Sequence, residues 1–434
     1  MRSIAVTAGV VLVVTLGATA AAYEAVAGTT GITETAPGIP GSAPGITGTT
    51  LGIEATAPAA APERPLLAVS CVSSKYCVAV GYDQAASGGH GGPLAETWNG
   101  RGWAAAGMKL PAAALGGTLS GVSCKSQKSC LAVGDYLLPN DSFPENDNTG
   151  ALAESWNGKT WTAAKPPVPA GTTSAALSGV SCVTSADCVA TGVHTQADGT
   201  SAALSELWNG HAWSNVPVKL PAGSFGGDLF GVSCASSKSC VGVGSYGNAD
   251  FDVVALGESW NGKTWSASEP AAPAAASAAA LQGVSCVSPT ACVAVGWYDN
   301  AGGYPLGLAG SWNGKKWTAD PLPKANGYGE LFGVSCVSLK YCLAVGVGDG
   351  NAPVNAKGTP SSDVWNGKSW SYQKVPVPPK GGGSTATSML QGVWCLSATD
   401  CVAVGQLDLG NDEQSQYGFS GFWNGKAWKL AATA

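Results

Sequence analysis

Seven copies of one cysteine and tryptophan pattern limit what this chain can fold into. A pair of cysteines separated by five residues occurs seven times and uses all 14 cysteines of the 434-residue chain. Successive first cysteines lie 50 to 59 residues apart. A Trp-Asn-Gly-x-x-Trp motif follows each pair, beginning at Trp98, Trp156, Trp208, Trp260, Trp312, Trp365 and Trp423. The chain therefore repeats one supersecondary unit seven times.

Each repeat contains four short runs with the composition of β-strands. They are rich in Val, Leu, Ala, Ser or Trp and are bounded by Gly, Pro, Asn or Ser. In the second repeat they are Leu119–Cys124, Cys130–Gly134, Ala151–Trp156 and Trp161–Lys165. Four strands per repeat at this period predict an all-β fold, a seven-bladed β-propeller of four-stranded blades over residues 65–434.

The cysteines flank a hairpin turn at the same place in every repeat. The constant spacing predicts one structural disulfide per blade, and such bonds persist in an oxidising compartment. Each closes a loop of about seven residues, which stabilises the fold by roughly 2–2.5 kcal/mol. The predicted pairs are Cys71–Cys77, Cys124–Cys130, Cys182–Cys188, Cys234–Cys240, Cys286–Cys292, Cys336–Cys342 and Cys395–Cys401.

The repeat also resembles known families. The segment CVAVGYD…LAETWNGRGWAAAGMKLP is similar to a Kelch-type repeat, although the usual Gly-Gly pair is reduced to one glycine. The fuller pattern GVSCxSxxxCxAVG…WNGxxW resembles a family of secreted bacterial repeat proteins. The resemblance covers residues 66–430. It implies a propeller fold and carries over no catalytic residues.

The Asn-Gly pair in each motif predicts a two-residue type I′ turn, because this turn needs positive φ at both positions. In the second repeat this register places Trp156 opposite Lys159 and Glu154 opposite Trp161. The two tryptophans then lie diagonally on one face of the hairpin. We expect that face to pack against the neighbouring blade.

An acidic residue recurs two positions before the first tryptophan in five repeats. The residue five positions further on is basic or His in the same repeats. The predicted register puts each pair on one face, so we expect exposed cross-strand ion pairs worth roughly 0–1 kcal/mol each. The pairs are Glu96–Arg101, Glu154–Lys159, Glu206–His211, Glu258–Lys263 and Asp363–Lys368.

The connections of the predicted propeller differ between its two faces. The cysteine turns and the Asn-Gly turns are short and uniform and share one face, whereas longer, variable connections lie on the other. Binding sites usually lie on variable loops held by a rigid scaffold. We predict that the aromatic and His side chains opening these loops bind a ligand; the alternative is that they pack at the loop bases. They are Tyr82, Tyr136, His194, Tyr246, Trp297 and Tyr298.

The N-terminus has the pattern of an export signal. Arg2 precedes an apolar run from Ile4 to Ala18, and small residues suited to cleavage follow. We predict a signal peptide at residues 1–22 and a flexible, low-complexity stalk at residues 23–64. The alternative is an uncleaved membrane anchor, the one membrane association predicted for the chain. Export predicts a secreted, extracellular protein.

The composition and the absence of known catalytic and cofactor motifs exclude several classes of function. Lys and Arg number 22 against 28 Asp and Glu, giving a net charge of −6. We therefore expect no basic face and exclude nucleic acid as a partner. The three histidines occupy unrelated repeat positions, and there is no phosphate loop, zinc motif or dinucleotide fingerprint. No cofactor, metal site or catalytic residue is predicted.

Three functional hypotheses follow. The first is a secreted, non-enzymatic binding or scaffold propeller that holds carbohydrate or a cell-surface protein through its variable loops. The alternative is a carbohydrate-active enzyme, a glycoside hydrolase or lyase, with loop carboxylates near the central channel. The third is a purely structural module.

Overall fold

A computed structural model divides the chain into residues 1–61 and a compact unit, Pro62–Ala434. It describes residues 63–84, 91–139, 148–274, 276–323, 329–348, 358–378, 386–409 and 416–434. The predicted signal peptide and all but the last two residues of the predicted stalk lie outside these ranges, so both stay predictions. Within the described ranges, no helix is long and apolar enough to cross a membrane.

The strands of the described residues form seven four-stranded antiparallel sheets, one per repeat. In chain order they are β1 (Leu66–Ser73), β2 (Tyr76–Asp83), β3 (Gly92–Trp98), β4 (Trp103–Ala106), β5 (Gly117–Ser126), β6 (Ser129–Leu137), β7 (Thr149–Trp156), β8 (Trp161–Ala164), β9 (Thr172–Thr184), β10 (Asp187–Gln196), β11 (Ser201–Trp208), β12 (Trp213–Asn215), β13 (Gly226–Ser236), β14 (Ser239–Gly247), β15 (Val253–Trp260), β16 (Trp265–Ser268), β17 (Ala278–Ser288), β18 (Ala291–Asp299), β19 (Pro305–Trp312), β20 (Trp317–Ala319), β21 (Gly329–Ser338), β22 (Tyr341–Gly348), β23 (Thr359–Trp365), β24 (Trp370–Lys374), β25 (Thr387–Ser397), β26 (Asp400–Asp408), β27 (Gln416–Trp423) and β28 (Trp428–Ala432).

The first strand of each blade packs against the first strand of the next. β1 contacts β5, β5 contacts β9, and the series continues to β25, which contacts β1 and closes the ring. Glycine allows this close approach: a Cβ atom added to Gly121 would lie 3.1 Å from the Cα atom of Gly179 in the next blade. This arrangement confirms the predicted seven-bladed propeller.

One row of side chains crosses all four strands of each blade. In blade 2, Cys124 pairs with Cys130, which pairs with Trp156, which pairs with Trp161. All seven predicted disulfides are present. The two tryptophan rings of each blade have centroids 5.4 to 5.6 Å apart, close enough for a favourable aromatic contact. The row of blade 2 packs with the fully buried Leu119 and Leu152 in one hydrophobic cluster.

The Asn-Gly turn differs from the predicted type I′ turn. Trp156 lies directly opposite Trp161, so the loop has four residues instead of two. Asn157 Oδ1 accepts hydrogen bonds from the amides of Lys159 at 2.9 Å and Thr160 at 3.0 Å. Among the described residues the positive φ falls on the glycine of the pair and not on the asparagine. The asparagine side chain, which closes an Asx turn, therefore specifies the loop.

Both short turns of a blade lie on one face. Trp156 Nε1 donates a hydrogen bond to the carbonyl of Gln127, which lies between the two cysteines of the blade, at 3.0 Å. We call this the turn face, defined as the residues between the two cysteines of each pair and between the two tryptophans of each motif. The connections from second to third strand and from blade to blade form the opposite, loop face.

A serine hydroxyl joins neighbouring blades at six joints. The serine precedes the first cysteine of its own blade, and its Oγ accepts a hydrogen bond from the amide of the first cysteine of the next blade at 2.9 to 3.1 Å. Each such bond contributes about 1 kcal/mol and satisfies an inter-blade amide. The acceptors are Ser70, Ser123, Ser181, Ser233, Ser285 and Ser335.

The joint between blades 7 and 1 uses other contacts. Trp394 occupies the serine position of blade 7. Trp103 Nε1 donates to Ser420 Oγ at 3.0 Å, and the amide of Ala434 donates to Glu96 Oε2 at 3.0 Å. Each terminal blade keeps its own four strands. The ring is therefore closed by side-chain packing and hydrogen bonds, without an exchanged strand.

The predicted cross-strand ion pairs are wrong. The four-residue loop shifts the register, so Glu154 lies opposite Ala163 and Ala132 and not beside Lys159. The acidic side chains are buried, with 0 to 1% of their surface exposed. Neither oxygen of Glu154 or Glu258 has a hydrogen-bond partner. Burial raises the pKa of Glu154 to about 7 and that of Glu258 to about 8.

Replacing Glu258 with Gln should stabilise the protein at about pH 8 and change little at about pH 5. The pKa of this carboxyl rises from 4.5 to about 8 in the folded protein. The folded state therefore binds the proton more tightly, and the fold loses stability as the pH rises between these values. Because one unit of pKa difference corresponds to about 1.4 kcal/mol, a gain of a few kcal/mol is expected in urea unfolding at the higher pH.

Asp250→Asn provides the control, because it removes the same charge from an exposed side chain. Its difference from the wild type should not depend on pH. An equal gain for Glu258→Gln at both pH values would show that the carboxyl is not held protonated.

Candidate functional site

The loop face is described in full at three adjacent second-to-third-strand connections, those of blades 3, 4 and 5. The corresponding connections of blades 1, 2, 6 and 7 include residues outside the described ranges. The candidate site is therefore built from the second strands and hairpins of blades 3 to 5.

All six residues predicted to bind a ligand lie within the second strand of their blade, before the loop begins. Tyr136, His194 and Tyr246 are each 6% exposed, which leaves little ring surface for a ligand. Tyr136 packs into the core shared by blades 1 and 2. Tyr82, Trp297 and Tyr298 are half-buried. The binding role of all six residues stays a prediction.

Three of these side chains, Tyr82, His194 and Tyr246, have hydrogen-bond partners within the protein. The Tyr246 hydroxyl donates to Glu269 Oε1, and Thr172 Oγ1 lies 3.2 Å from His194 Nδ1. Burial raises the pKa of Tyr246 to about 12 and lowers that of His194. Burial, assisted by the charge of Asp408, also raises the pKa of Tyr82 to about 12. These groups stay neutral near pH 7.

One hairpin geometry recurs on the loop face of blades 3, 4 and 5. In blade 4 the amide of Asn248 donates to Asp252 O at 3.0 Å, and the amide of Phe251 donates to Asn248 O at 3.1 Å. The fourth residue of the hairpin has a positive φ, which is +83° at Gly199, +67° at Phe251 and +73° at Gly303. A non-glycine residue in this conformation costs roughly 1–2 kcal/mol.

Burial does not offset this cost at Phe251. Its side chain is 80% exposed, and its ring contacts that of Phe225 with centroids 5.1 Å apart. Asp250 and Asp252 flank it and are exposed as well. A strained backbone that presents an aromatic ring to solvent makes Phe251 a candidate functional residue. Sequence reasoning missed Phe251, although aligning the three hairpins shows phenylalanine where blades 3 and 5 have glycine.

Blade 5 adds further aromatic side chains to this face. Trp297 pairs with Ala280 on one side and Gly307 on the other, so small residues surround its ring in the sheet. Tyr304, in the hairpin of the same blade, is 39% exposed. We call these aromatic residues of blades 4 and 5 the loop-face aromatic group, consisting of Phe225, Phe251, Trp297, Tyr298 and Tyr304.

Three carboxyl groups lie near the loop-face ends of strands in blades 4, 5 and 6. Asp299 ends β18 and Glu330 lies in the second position of β21. Burial raises the pKa of both, and the charge of Asp299 adds to the rise at Glu330. Asp228 is 5% exposed, and burial raises its pKa to about 7. Buried or neighbouring carboxyls with raised pKa values are able to donate protons near neutral pH.

The described part of the chain contains no group of three or more His, Cys, Asp or Glu side chains placed to hold a metal ion. The arrangement offers apolar ring surfaces and hydrogen-bond acceptors, which suit a neutral, hydroxyl-rich ligand.

Comparison with solved structures gives matches to the fold. YCF48 bound to a D1 peptide is 12% identical, with a TM-score of 0.45 over 86% of this chain and 93% of that one. A PL25 ulvan lyase is 10% identical, with a TM-score of 0.50 over 86% and 96%. A protein of unknown function from Dyadobacter fermentans is 10% identical, with a TM-score of 0.48 over 83% and 93%.

The match to the ulvan lyase, with its TM-score of 0.50, shows a shared fold and no more. No protein-family model matches the chain, and no curated protein matches it.

Replacing Phe251 with Gly should raise the free energy of unfolding by about 0.5–1 kcal/mol. Glycine removes the backbone strain, although its larger freedom in the unfolded chain offsets part of the gain. Thermal or urea unfolding measures the change. Phe251→Ala keeps the Cβ atom and hence the strain, so it should give no gain. Destabilisation by Phe251→Gly would mean that Phe251 serves packing.

Proposed function

We propose that the protein is a secreted, non-enzymatic binding propeller that holds carbohydrate or another cell-surface molecule on its loop face. The observation that carries this proposal is Phe251, an aromatic ring held in solvent at a cost to the fold. The seven disulfides indicate an oxidising compartment. Secretion also agrees with the predicted signal peptide and with the resemblance to Kelch-like, secreted bacterial repeats.

The loop-face aromatic group has the chemistry that a sugar requires. Aromatic rings stack on the apolar faces of sugar rings, and carboxylates accept hydrogen bonds from sugar hydroxyls. Phe251 lies between Asp250 and Asp252 in sequence, so one hairpin supplies both kinds of contact. Trp297 and Tyr304 extend the aromatic surface onto the next blade. We propose that a chain of sugars lies across blades 4 and 5.

Glycan binding by the purified protein should depend on Phe251. We expect an array of neutral glycans and polysaccharides to give saturable binding, which Phe251→Gly weakens by about tenfold or more because an exposed aromatic contact is lost. The same substitution should not lower stability, which separates loss of contact from loss of fold. Titration calorimetry with the glycan that binds on the array gives the affinity.

Leu339→Ala is the matched control, because it removes an exposed apolar side chain, 56% exposed, from the turn face. Its affinity should equal that of the wild type. Binding that survives both Phe251→Gly and Trp297→Ala would contradict the proposed site, and an array without any hit would contradict the carbohydrate ligand.

A second candidate function is favoured by Asp299 and Glu330. Burial raises the pKa of both carboxyls, and the charge of Asp299 adds to the rise at Glu330. Glycoside hydrolases and lyases use carboxyls with raised pKa values for proton transfer. In this alternative, Glu330 is the general acid, because it has the more perturbed environment of the two. Trp297, which lies on the same face of β18 as Asp299, then positions the sugar beside the pair.

Turnover separates the two functions. If the alternative holds, a polysaccharide that binds on the array is also cleaved, and Glu330→Gln abolishes release of reducing ends while binding is retained. The non-enzymatic proposal expects saturable binding with no product over the same period. Asp198→Asn, which removes an exposed carboxylate from the hairpin of blade 3, outside the proposed site, controls for the change in charge.

A further inference from the structure

The turn face concentrates the positive charge of the protein. Of the 22 Lys and Arg residues of the chain, twelve lie on this face, whereas two of the 28 Asp and Glu residues do. All twelve side chains are exposed. They are Lys75, Arg101, Lys125, Lys128, Lys159, Lys238, Lys263, Lys315, Lys316, Lys340, Lys368 and Lys426. The expectation of no basic face is therefore wrong: a chain with a net charge of −6 carries one strongly basic surface.

No side-chain contact balances this charge. The described ranges include the whole turn face, and they contain one ion pair. It joins Arg64 to Asp83 on the loop face. The two turn-face acids, Asp187 and Asp400, form none. Exposed charges of one sign repel one another, so the clustering gives the fold no stability.

In four blades the bases lie in adjacent pairs. The lysine of the cysteine turn packs its stem against the glycine of the Asn-Gly turn: a Cβ atom added there would lie 2.9 to 3.4 Å from the lysine Cγ. The residue after that glycine is also basic. A depression in blade 1, lined by Lys75, Asn99, Gly100 and Arg101, lies between one such pair. The pairs are Lys75–Arg101, Lys128–Lys159, Lys238–Lys263 and Lys340–Lys368.

The backbone fixes where these bases stand. In each Asn-Gly turn the asparagine Oδ1 accepts the amide of the basic or His residue at 2.9 to 3.0 Å. The bases therefore leave the scaffold at repeated positions around the ring. Eleven of the twelve are lysines, which act as flexible point charges and do not impose the geometry of an arginine fork. Such a surface suits a long polymer with many anionic groups.

We infer that the turn face is a binding surface for an extended acidic polysaccharide. Tyrosines on this face are half-buried with bonded hydroxyls: Tyr76 donates to Gln127 O at 3.1 Å, and Tyr341 accepts from Trp423 Nε1 at 2.7 Å. The face therefore lacks the exposed rings on which single-stranded nucleic acids stack. Seven disulfides also indicate an oxidising compartment, such as the exterior of the cell. This surface is separate from the loop-face aromatic group.

Heparin is the probe, and binding is measured by calorimetry over a range of salt concentrations. The test variant carries Lys75→Gln, Lys128→Gln, Lys238→Gln and Lys340→Gln, one base from each pair. We expect at least about tenfold weaker binding and a fall of roughly three in the slope of log K against log salt. The control carries Lys109→Gln, Lys165→Gln, Lys219→Gln and Lys374→Gln, which change the net charge equally at exposed sites off the turn face.

A second variant with Arg101→Gln, Lys159→Gln, Lys263→Gln and Lys368→Gln removes the other base of each pair and should repeat the loss. Equal weakening by the control, or no heparin binding by the wild type at about 50 mM salt, would overturn the inference. Tighter binding of duplex DNA or phosphatidylserine vesicles than of heparin would overturn the polysaccharide assignment. Both turn-face variants should keep the neutral-glycan binding that Phe251→Gly weakens, so the two proposals fail independently.

Discussion

The row of two cysteines and two tryptophans across each blade sets the position of every other group. Because its members pair directly, as Cys130 does with Trp156, the row fixes the register of all four strands. The serine next to the first cysteine then faces the following blade and accepts its amide. The acid two positions before the first tryptophan falls in the buried row beside it. A register shift of one residue in this row would turn the serine and the acidic side chain to the opposite face of the sheet.

The repeats were enough to predict the fold. A fixed cysteine spacing, four strand-like runs and one turn motif, each found seven times, specified the number of blades, the strands in each and all the disulfides. The strands of blade 2 exceed the predicted runs mostly at their ends, as in Gly117–Ser126. There the neighbouring strand extends the pairing beyond the apolar residues.

Other features depended on local geometry that composition does not reveal. The sequence Asn157-Gly158 suits a two-residue turn, but the side chain of Asn157 stabilises a four-residue loop. That difference of two residues places Lys159 in the loop, so Glu154, which had been expected beside it, lies opposite Ala163 instead. Phe251 was missed because its significance lies in a backbone angle. The basic face was missed because net charge is a sum over the whole chain. The fold places most of the basic residues in the short turns on one face and most of the acidic residues elsewhere.

The local pairing of the cysteines has a consequence for how the chain matures. Each disulfide joins residues only six positions apart. The correct partner of each thiol is therefore also its nearest one, and a hairpin of this size closes within microseconds. Oxidation is able to follow the chain as each blade emerges, blade by blade. Disulfides between distant cysteines form more slowly than these local ones. Few wrong disulfides should therefore form, and little reshuffling is needed.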